Sequence, residues 1–253
     1  MLVDFLKKSP LYPTYHKYNL LTQKSLSQQG QDHWVINEVF HRKRNGYFVE
    51  IGSADGVRIN NTYLLEKHYG WTGLCIEPNP EYFKLLEKTR DAICLNVCVD
   101  EVYGQVEFFL GELHGGIVES HSYNLATKKE AIEDQLITIE AFPLADLLKK
   151  NNAPKVIDYL SIDVEGAETR ILNKFPFDEY TFLSMSIELP GEELRETLEK
   201  NGYICIKVIP GLDNCYIHES LIEEYNSNLH ILMKTNTLSD RLSNWASLLK
   251  GKS

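Results

Sequence analysis

The chain has 253 residues, of which 43% are hydrophobic and 25% charged, and its formal net charge is −10. This length suits one sizeable α/β core rather than two independent catalytic domains. The negative charge disfavours broad binding to nucleic-acid backbones, and no apolar run approaches the ~20 residues that a membrane-spanning helix needs. Residues 1–27, which we expect to form an N-terminal arm, lack the pattern of a secretory signal, so we expect a cytoplasmic protein.

The first predicted elements are a helix and a buried strand. Asp32 can cap the helix, whose apolar face comprises Val35, Ile36, Val39 and Phe40. Residues 47–51 are an apolar run with aromatic and β-branched members, which is typical of a central parallel strand. Gly52 and Gly56 follow at once and let the backbone turn tightly around a ligand.

This strand and its loop suit a nucleoside-containing ligand without phosphates. A dinucleotide-binding G-x-G-x-x-G motif that started at Gly52 would need glycines at two further positions, where the chain has Ala54 and Val57. The missing glycines therefore disfavour an enzyme that binds NAD or a nucleotide sugar.

The second predicted strand, residues 72–77, follows a predicted helix at residues 60–69 and ends in an acidic residue. In doubly wound folds an acid at this point binds the ribose hydroxyls, and Glu77 fits that role. The alternative is a solvated acid at a strand end. Pro78 ends the strand because proline cannot extend a ladder of hydrogen bonds, and a helix is expected at residues 80–90.

The remaining predicted elements complete an α/β pattern. Strands are expected at residues 93–99, 156–162 and 182–188, then a helix at 192–200 and two strands at 203–208 and 215–218. Alternating apolar and polar residues at 106–110 and 136–139 indicate a hairpin-like insertion over the ligand cleft. This insertion contains His114 and His121. Residues 219–253 are mixed and polar, and we expect them to form a helical extension.

Four segments carry a family resemblance: residues 27–32 (SQQGQD), 49–56 (VEIGSADG), 75–80 (CIEPNP) and 161–168 (SIDVEGAE). In this order they resemble the FkbM family of class I S-adenosylmethionine-dependent methyltransferases. The resemblance implies a Rossmann-like α/β domain at residues 28–218. Its seven-stranded sheet would be mostly parallel, with the last strand antiparallel and helices on both faces.

The resemblance also implies S-adenosyl-L-methionine as the cofactor. Its methionine part would meet Glu50 and the loop from Gly52 to Gly56, which includes Ser53 and Asp55. Asp163 would also contact the cofactor. Its ribose would meet Glu77 and Pro78. Its adenine would be flanked by Cys98, Val99 and Asp100, of which Asp100 is either an acceptor for the amino group or only a turn residue. A segment over the cofactor, or merely a capping loop, would comprise Gln28, Gln31 and Asp32.

A hydroxyl that accepts a methyl group must lose its proton as the new bond forms. Asp163 and Glu188 end strands that the expected architecture makes neighbours. Either carboxylate could act as the base, or both could hold a divalent cation such as Mg²⁺ or Mn²⁺. Alternatively, Asp163 caps the following helix and Glu188 orders a loop. His114 and His121 are further candidate bases, and for each an ordinary surface histidine is the alternative.

The resemblance thus predicts an O-methyltransferase that acts on a hydroxyl of a sugar or glycan. A small secondary metabolite is the next acceptor. A non-catalytic ligand-binding or interaction module is the alternative outside enzymes, but such a module has no physical need for carboxylates that converge at strand ends.

Overall fold

The computed structural model describes residues 24–111, 115–118 and 135–229. Within these residues the strands are β1 Tyr47–Ile51, β2 Thr72–Ile76, β3 Ile93–Leu95, β4 Cys98–Val99, β5 Gly104–Phe109, β6 Gly116–Ile117, β7 Leu136–Phe142, β8 Val156–Ile162, β9 Thr181–Glu188, β10 Tyr203–Val208 and β11 Asp213–His218. The helices are α1 Gln31–His33, which continues as a π-helix at Trp34–Val39, then α2 Tyr63–Tyr69, α3 Pro80–Thr89, α4 Leu144–Lys150, α5 Glu168–Asn173 and α6 Glu192–Lys200. A 3₁₀ turn at Glu219–Leu221 leads into helical residues 222–229.

Seven strands form the main sheet, in the order β3-β2-β1-β8-β9-β11-β10. Strand β11 runs antiparallel to both of its neighbours, and the other pairings are parallel. The predicted seven-stranded, mostly parallel sheet with an antiparallel last strand is therefore confirmed. Strand β1 lies inside the sheet, between β2 and β8, and Phe48, Val49 and Ile51 are at most 2% exposed, as expected for a parallel strand covered on both faces.

Helices cover both faces of the main sheet, so the domain has two large hydrophobic cores. One core contains apolar side chains of α4, α5 and α6, for example Leu148, Leu172 and Leu198. The other contains the apolar face that we predicted for the first helix, comprising Val35, Ile36, Val39 and Phe40. In the described residues, no helix has both the length and the apolar character that crossing a membrane requires.

Four short strands form a second sheet, in the order β4-β7-β5-β6. The single strand predicted at residues 93–99 is wrong, because the chain divides there into β3 in the main sheet and β4 in the second sheet. The side-chain amide of Asn96 marks the break, since it donates to the carbonyl oxygens of Glu77 (2.8 Å) and Pro78 (2.9 Å). Strands β5 and β7 pair antiparallel, as predicted for the insertion.

Two local predictions also need correction. The helix expected at residues 60–69 begins only at Tyr63, because the three preceding residues are held by the carboxylate of Glu50. Asp32 does not cap the first helix but lies within it. Its carboxylate accepts hydrogen bonds from the backbone N–H of Leu26 and the hydroxyl of Ser27, both at 2.8 Å. It thereby fastens the segment before the helix to the domain.

Candidate active site

The candidate site lies where the strand order reverses, between β1 and β8. In open α/β sheets, ligands bind outside the carboxyl ends of the strands at such a switch point. The carboxyl ends of β1, β2, β8 and β9 bring together Gly52, Glu77, Asp163 and Glu188. All four line one cleft of about 1060 Å³ that is open to solvent. The convergence expected from the strand ends is present.

The loop after β1 is pinned between the two neighbouring strands. The N–H groups of Gly52 and Ser53 both donate to the carbonyl oxygen of Ile76, at 3.0 and 3.1 Å. Gly52 has a φ of +86°, and a Cβ there would lie only 1.9 Å from the backbone oxygen of Asp163. Only glycine allows so close an approach of the two strand ends, and this approach shapes the floor of the cleft.

Glu77 is 6% exposed and is held by the backbone on both sides. Its Oε2 accepts the N–H of Ala54 at 2.7 Å, and its Oε1 accepts the N–H of Asn79 at 2.8 Å. Burial raises the pKa of Glu77 to about 7, although these two hydrogen bonds act in the opposite direction. Each carboxylate oxygen has two acceptor lone pairs, so the ionised side chain has capacity for two ribose hydroxyls as well.

Glu50 lies behind the loop rather than in the cleft, so the structure does not support its predicted contact with the methionine part. Its carboxylate accepts hydrogen bonds from the side chain of Asn60 (2.7 Å), the N–H of Asn61 (3.0 Å) and the hydroxyl of Thr62 (2.9 Å). Glu50 is 3% exposed and does not line the cleft. Its charge instead stabilises the chain that follows the binding loop.

Arg90 completes this buried network, and sequence reasoning missed it. Its side chain is 0% exposed and forms ion pairs with Glu66 (2.9 Å) and Glu50 (3.4 Å). Its guanidinium also donates to the carbonyl oxygen of Gly56 at 3.2 Å. The back of the binding loop is therefore held by an arginine that comes from the end of α3.

Three carboxylates meet at the other side of the cleft. Oxygen atoms of Asp163, Glu165 and Glu188 lie within 4.8 Å of one another. Burial raises the pKa of Glu188 well above its usual range, and the negative charge of the hydrogen-bonded Asp163 raises it further. Protonation of one of these two carboxyl groups would therefore relieve the repulsion between them. This arrangement can hold a proton or, in its place, a cation.

Asp163 does not cap the next helix, which was the alternative for this residue. Helix α5 begins at Glu168, and the Oε1 of Glu168 accepts the N–H groups of Val164 and Gly166, both at 3.2 Å. Glu168 therefore orders the loop after β8. Asp163 itself is exposed and lines the cleft.

The other predicted site residues divide into two groups. Those that line the cleft are Gln28, Pro78, Cys98 and Val99. Those that do not line it are Gln31, Asp32, Ser53, Asp55, Gly56 and Asp100. His114 and His121 lie outside the described residues.

The second group has structural contacts instead. Gln31 donates from its side chain to Asp213 at 2.9 Å, and the hydroxyl of Ser53 donates to the backbone oxygen of Glu50. Asp100 forms an ion pair with Arg170 at 3.2 Å, so its predicted contact with the adenine is not supported.

Several residues that line the cleft were not predicted, among them Arg58, Ile59, Tyr82, Phe108 and Glu165. Glu165 could have been predicted as a cleft residue from the sequence, because it follows Asp163 by two positions after the end of β8. Its backbone is left-handed, with a φ of 58°. Ile59 also has a positive φ, of 50°, a conformation that is rare for a β-branched residue and concentrates at functional sites.

Comparison with known families decides the class of the protein. The model of the methyltransferase FkbM domain matches residues 50–205. The chain belongs to the FkbM methyltransferase family. The predictions of a methyltransferase and of its family are therefore confirmed, against the alternative of a non-catalytic module. Membership in this family supports S-adenosylmethionine as the methyl donor.

Three solved structures with a similar chain fold are distant from this chain in sequence. The METTL16 MTase domain is 14% identical, with a TM-score of 0.43, over 74% of this chain and 65% of that chain. The N-terminal domain of human METTL16 in complex with SAH is 14% identical, with a TM-score of 0.40, over 74% of this chain and 68% of that one. TYW2 of M. jannaschii in complex with AdoMet is 15% identical, with a TM-score of 0.35, over 78% and 80%. No curated protein matches the sequence.

Proposed function

We propose that this methyltransferase transfers the methyl group of S-adenosylmethionine to a hydroxyl of a sugar or glycan. The observation that carries the proposal is the convergence of Glu77, Asp163 and Glu188 on one cleft at the switch point of the sheet. Glu77 suits a ribose, and the other two suit the removal of a proton from an acceptor.

The chemistry of the walls of the cleft suits the cofactor. Glu77 would accept the ribose hydroxyls, and the loop at Gly52 would lie beside the methionine part. Cys98 and Val99 line the part of the cleft beyond Glu77 and would contact the adenine. Their burial among apolar neighbours suits a flat aromatic base.

In the reaction, the acceptor oxygen forms a bond to the methyl carbon while the bond from that carbon to sulfur breaks. The bonding electron pair stays on sulfur, which becomes a neutral thioether. The acceptor proton passes to a carboxylate, for which exposed Asp163 is the best placed. Glu188, hydrogen-bonded to Asp163, would orient that carboxylate.

A divalent cation fits the same cluster. The oxygen atoms of Asp163, Glu165 and Glu188 lie within 4.8 Å of one another, and a set of carboxylates suits Mg²⁺ or Mn²⁺. A bound cation would lower the pKa of the acceptor hydroxyl. The three carboxylates would then be its ligands, with Glu188 deprotonated.

The charge of the cleft favours a neutral acceptor. Its described lining contains four acidic side chains, which are Glu77, Asp163, Glu165 and Glu188, and one basic side chain, Arg58. Because like charges repel, such a cleft disfavours a phosphate-rich acceptor such as nucleic acid. A polyhydroxylated sugar, whose hydroxyls donate to carboxylates, is the better match. We further propose that the protein acts in the cytoplasm.

The proposal is tested by supplying a labelled methyl donor with a panel of oligosaccharides, small hydroxylated metabolites and RNA. Mass spectrometry then locates the methyl group. We expect label on a sugar oxygen, lost in Asp163→Asn and retained in Asp178→Asn, which changes an exposed aspartate that does not line the cleft. Label only on RNA or on a small metabolite would refute the sugar acceptor.

A further inference from the structure

Six backbone N–H groups of the loop after β1 already donate hydrogen bonds within the protein. The N–H groups of Gly52 and Ser53 donate to Ile76, and that of Gly56 donates to Ser53. The N–H of Ala54 donates to Glu77. The carboxylate of Asp55 accepts the N–H groups of residues 57 and 58 at 3.0 and 2.8 Å. These six groups cannot receive an anion without breaking existing hydrogen bonds, so the loop is not an anion-binding nest of the usual kind.

Arg58 lies at the end of this loop and lines the cleft. It is the only cation among the described residues that do so. Asp55 accepts a hydrogen bond from its Nε and so fixes the plane of the guanidinium. The side chain is 20% exposed, which leaves its charge only partly solvated.

The cofactor presents three charges in its methionine part: a sulfonium, an ammonium and a carboxylate. The acidic side chains of the cleft suit the two positive groups. A carboxylate that enters an acidic, partly desolvated cleft is costly unless donors meet it. Six N–H groups of the loop, at residues 52–54 and 56–58, already donate hydrogen bonds, so a side chain is the better source of such donors.

We infer that Arg58 binds the methionine carboxylate of the cofactor and that Asp55 positions its guanidinium. The inference rests on the proposed binding of S-adenosylmethionine. A guanidinium presents five N–H donors in a planar fork that matches a carboxylate, so it orients the methionine part as well as neutralising it. Arg58 lines the same cleft as the loop residues Gly52 and Ala54, beside which the methionine part is proposed to lie.

Calorimetric titration with three ligands tests this contact. S-adenosylmethionine has the carboxylate, decarboxylated S-adenosylmethionine lacks only that group, and 5′-methylthioadenosine lacks the whole amino-acid part. Each is titrated into the wild type, Arg58→Ala, Arg58→Lys and the control Lys84→Ala. Lys84 is an exposed cation on α3 that does not line the cleft.

We expect Arg58→Ala to bind S-adenosylmethionine about 10- to 100-fold more weakly than the wild type, as for the loss of a hydrogen bond to a charged group. Its affinity for the other two ligands should be nearly unchanged. The wild type should lose a similar factor when the carboxylate is removed from the ligand. Arg58→Lys should restore part of the affinity, because it keeps the charge but not the fork. Lys84→Ala should bind like the wild type.

The inference is overturned if Arg58→Ala binds S-adenosylmethionine like the wild type, or if its affinity for all three ligands falls by the same factor. It is also overturned if the wild type binds S-adenosylmethionine no better than the decarboxylated form, a comparison that needs no variant. A folded wild type that binds no S-adenosylmethionine would instead refute the proposed function, so the two failures are distinguishable.

Discussion

The substitution Gly52→Ala tests how the floor of the cleft is built. A φ of +86° is unfavourable for alanine by about 1–2 kcal/mol. The new Cβ would lie 1.9 Å from the backbone oxygen of Asp163, which cannot rotate away. Forcing an atom into such a contact costs about a further 1–3 kcal/mol. The free energy of unfolding should therefore fall by about 2–5 kcal/mol.

Gly211→Ala is the matched control. Gly211 lies in the turn between β10 and β11 with a φ of +75°, and no atom lies within 4 Å of its would-be Cβ. Its free energy of unfolding should fall only by the cost of the left-handed backbone for alanine, about 1–2 kcal/mol. Denaturant unfolding followed by circular dichroism measures both losses, and calorimetry should show S-adenosylmethionine binding about tenfold weaker in Gly52→Ala alone. Equal losses of stability in the two variants, or unchanged binding by Gly52→Ala, would refute the reasoning.

Four further predictions concern charged groups in and behind the site. Because burial raises the pKa of Glu77 to about 7, its ribose-accepting carboxylate form dominates only above that pH. Affinity for S-adenosylmethionine should therefore rise from about pH 6 to about pH 8, and Glu77→Gln should abolish this dependence in calorimetric titrations. The same raised pKa means that Glu77 lowers the free energy of unfolding as pH rises from 4.5 towards 7, a slope that Glu77→Gln should reduce. Arg90→Met removes the ion-pair partner of buried Glu50 and one of the two cations that contact Glu66, the other being Lys67. It should lower the free energy of unfolding by about 3–5 kcal/mol in denaturant unfolding. Lys84→Met, at an exposed ion pair, should lower it by under about 1 kcal/mol. If the carboxylate cluster holds a cation, a chelator should abolish turnover, and Asp163→Asn should bind Mn²⁺ more weakly than the wild type. Unchanged turnover in the presence of the chelator would assign proton removal to a protein side chain alone.

The sequence was sufficient to predict the sheet and three of its strand ends. Glu77, Asp163 and Glu188 each follow or end an apolar run, and parallel strands present their carboxyl ends at one edge. The sequence also contained a pattern that argues against a contact between Glu50 and the cofactor. Side chains alternate along a strand, so Glu50 must face away from Ile51, which lines the cleft. It points with Phe48 towards the opposite core.

Other features could not be read from the sequence because they depend on distant partners. Asp100 looked available to the adenine, but Arg170, which is 70 positions later, forms an ion pair with it. Arg90 reaches back 40 positions to Glu50. The break between β3 and β4 depends on a side-chain amide that bonds the end of β2. Such contacts are set by packing rather than by local periodicity.

The central claim is that the cleft at Glu77 binds S-adenosylmethionine. Calorimetric titration of the wild type and of Glu77→Gln at about pH 8, where the carboxylate is ionised, tests it most directly. The account predicts one binding site in the wild type and an affinity at least about tenfold lower in Glu77→Gln, because the amide presents fewer acceptors to the ribose. A folded wild type that does not bind the cofactor, or equal binding by the two proteins, would contradict it.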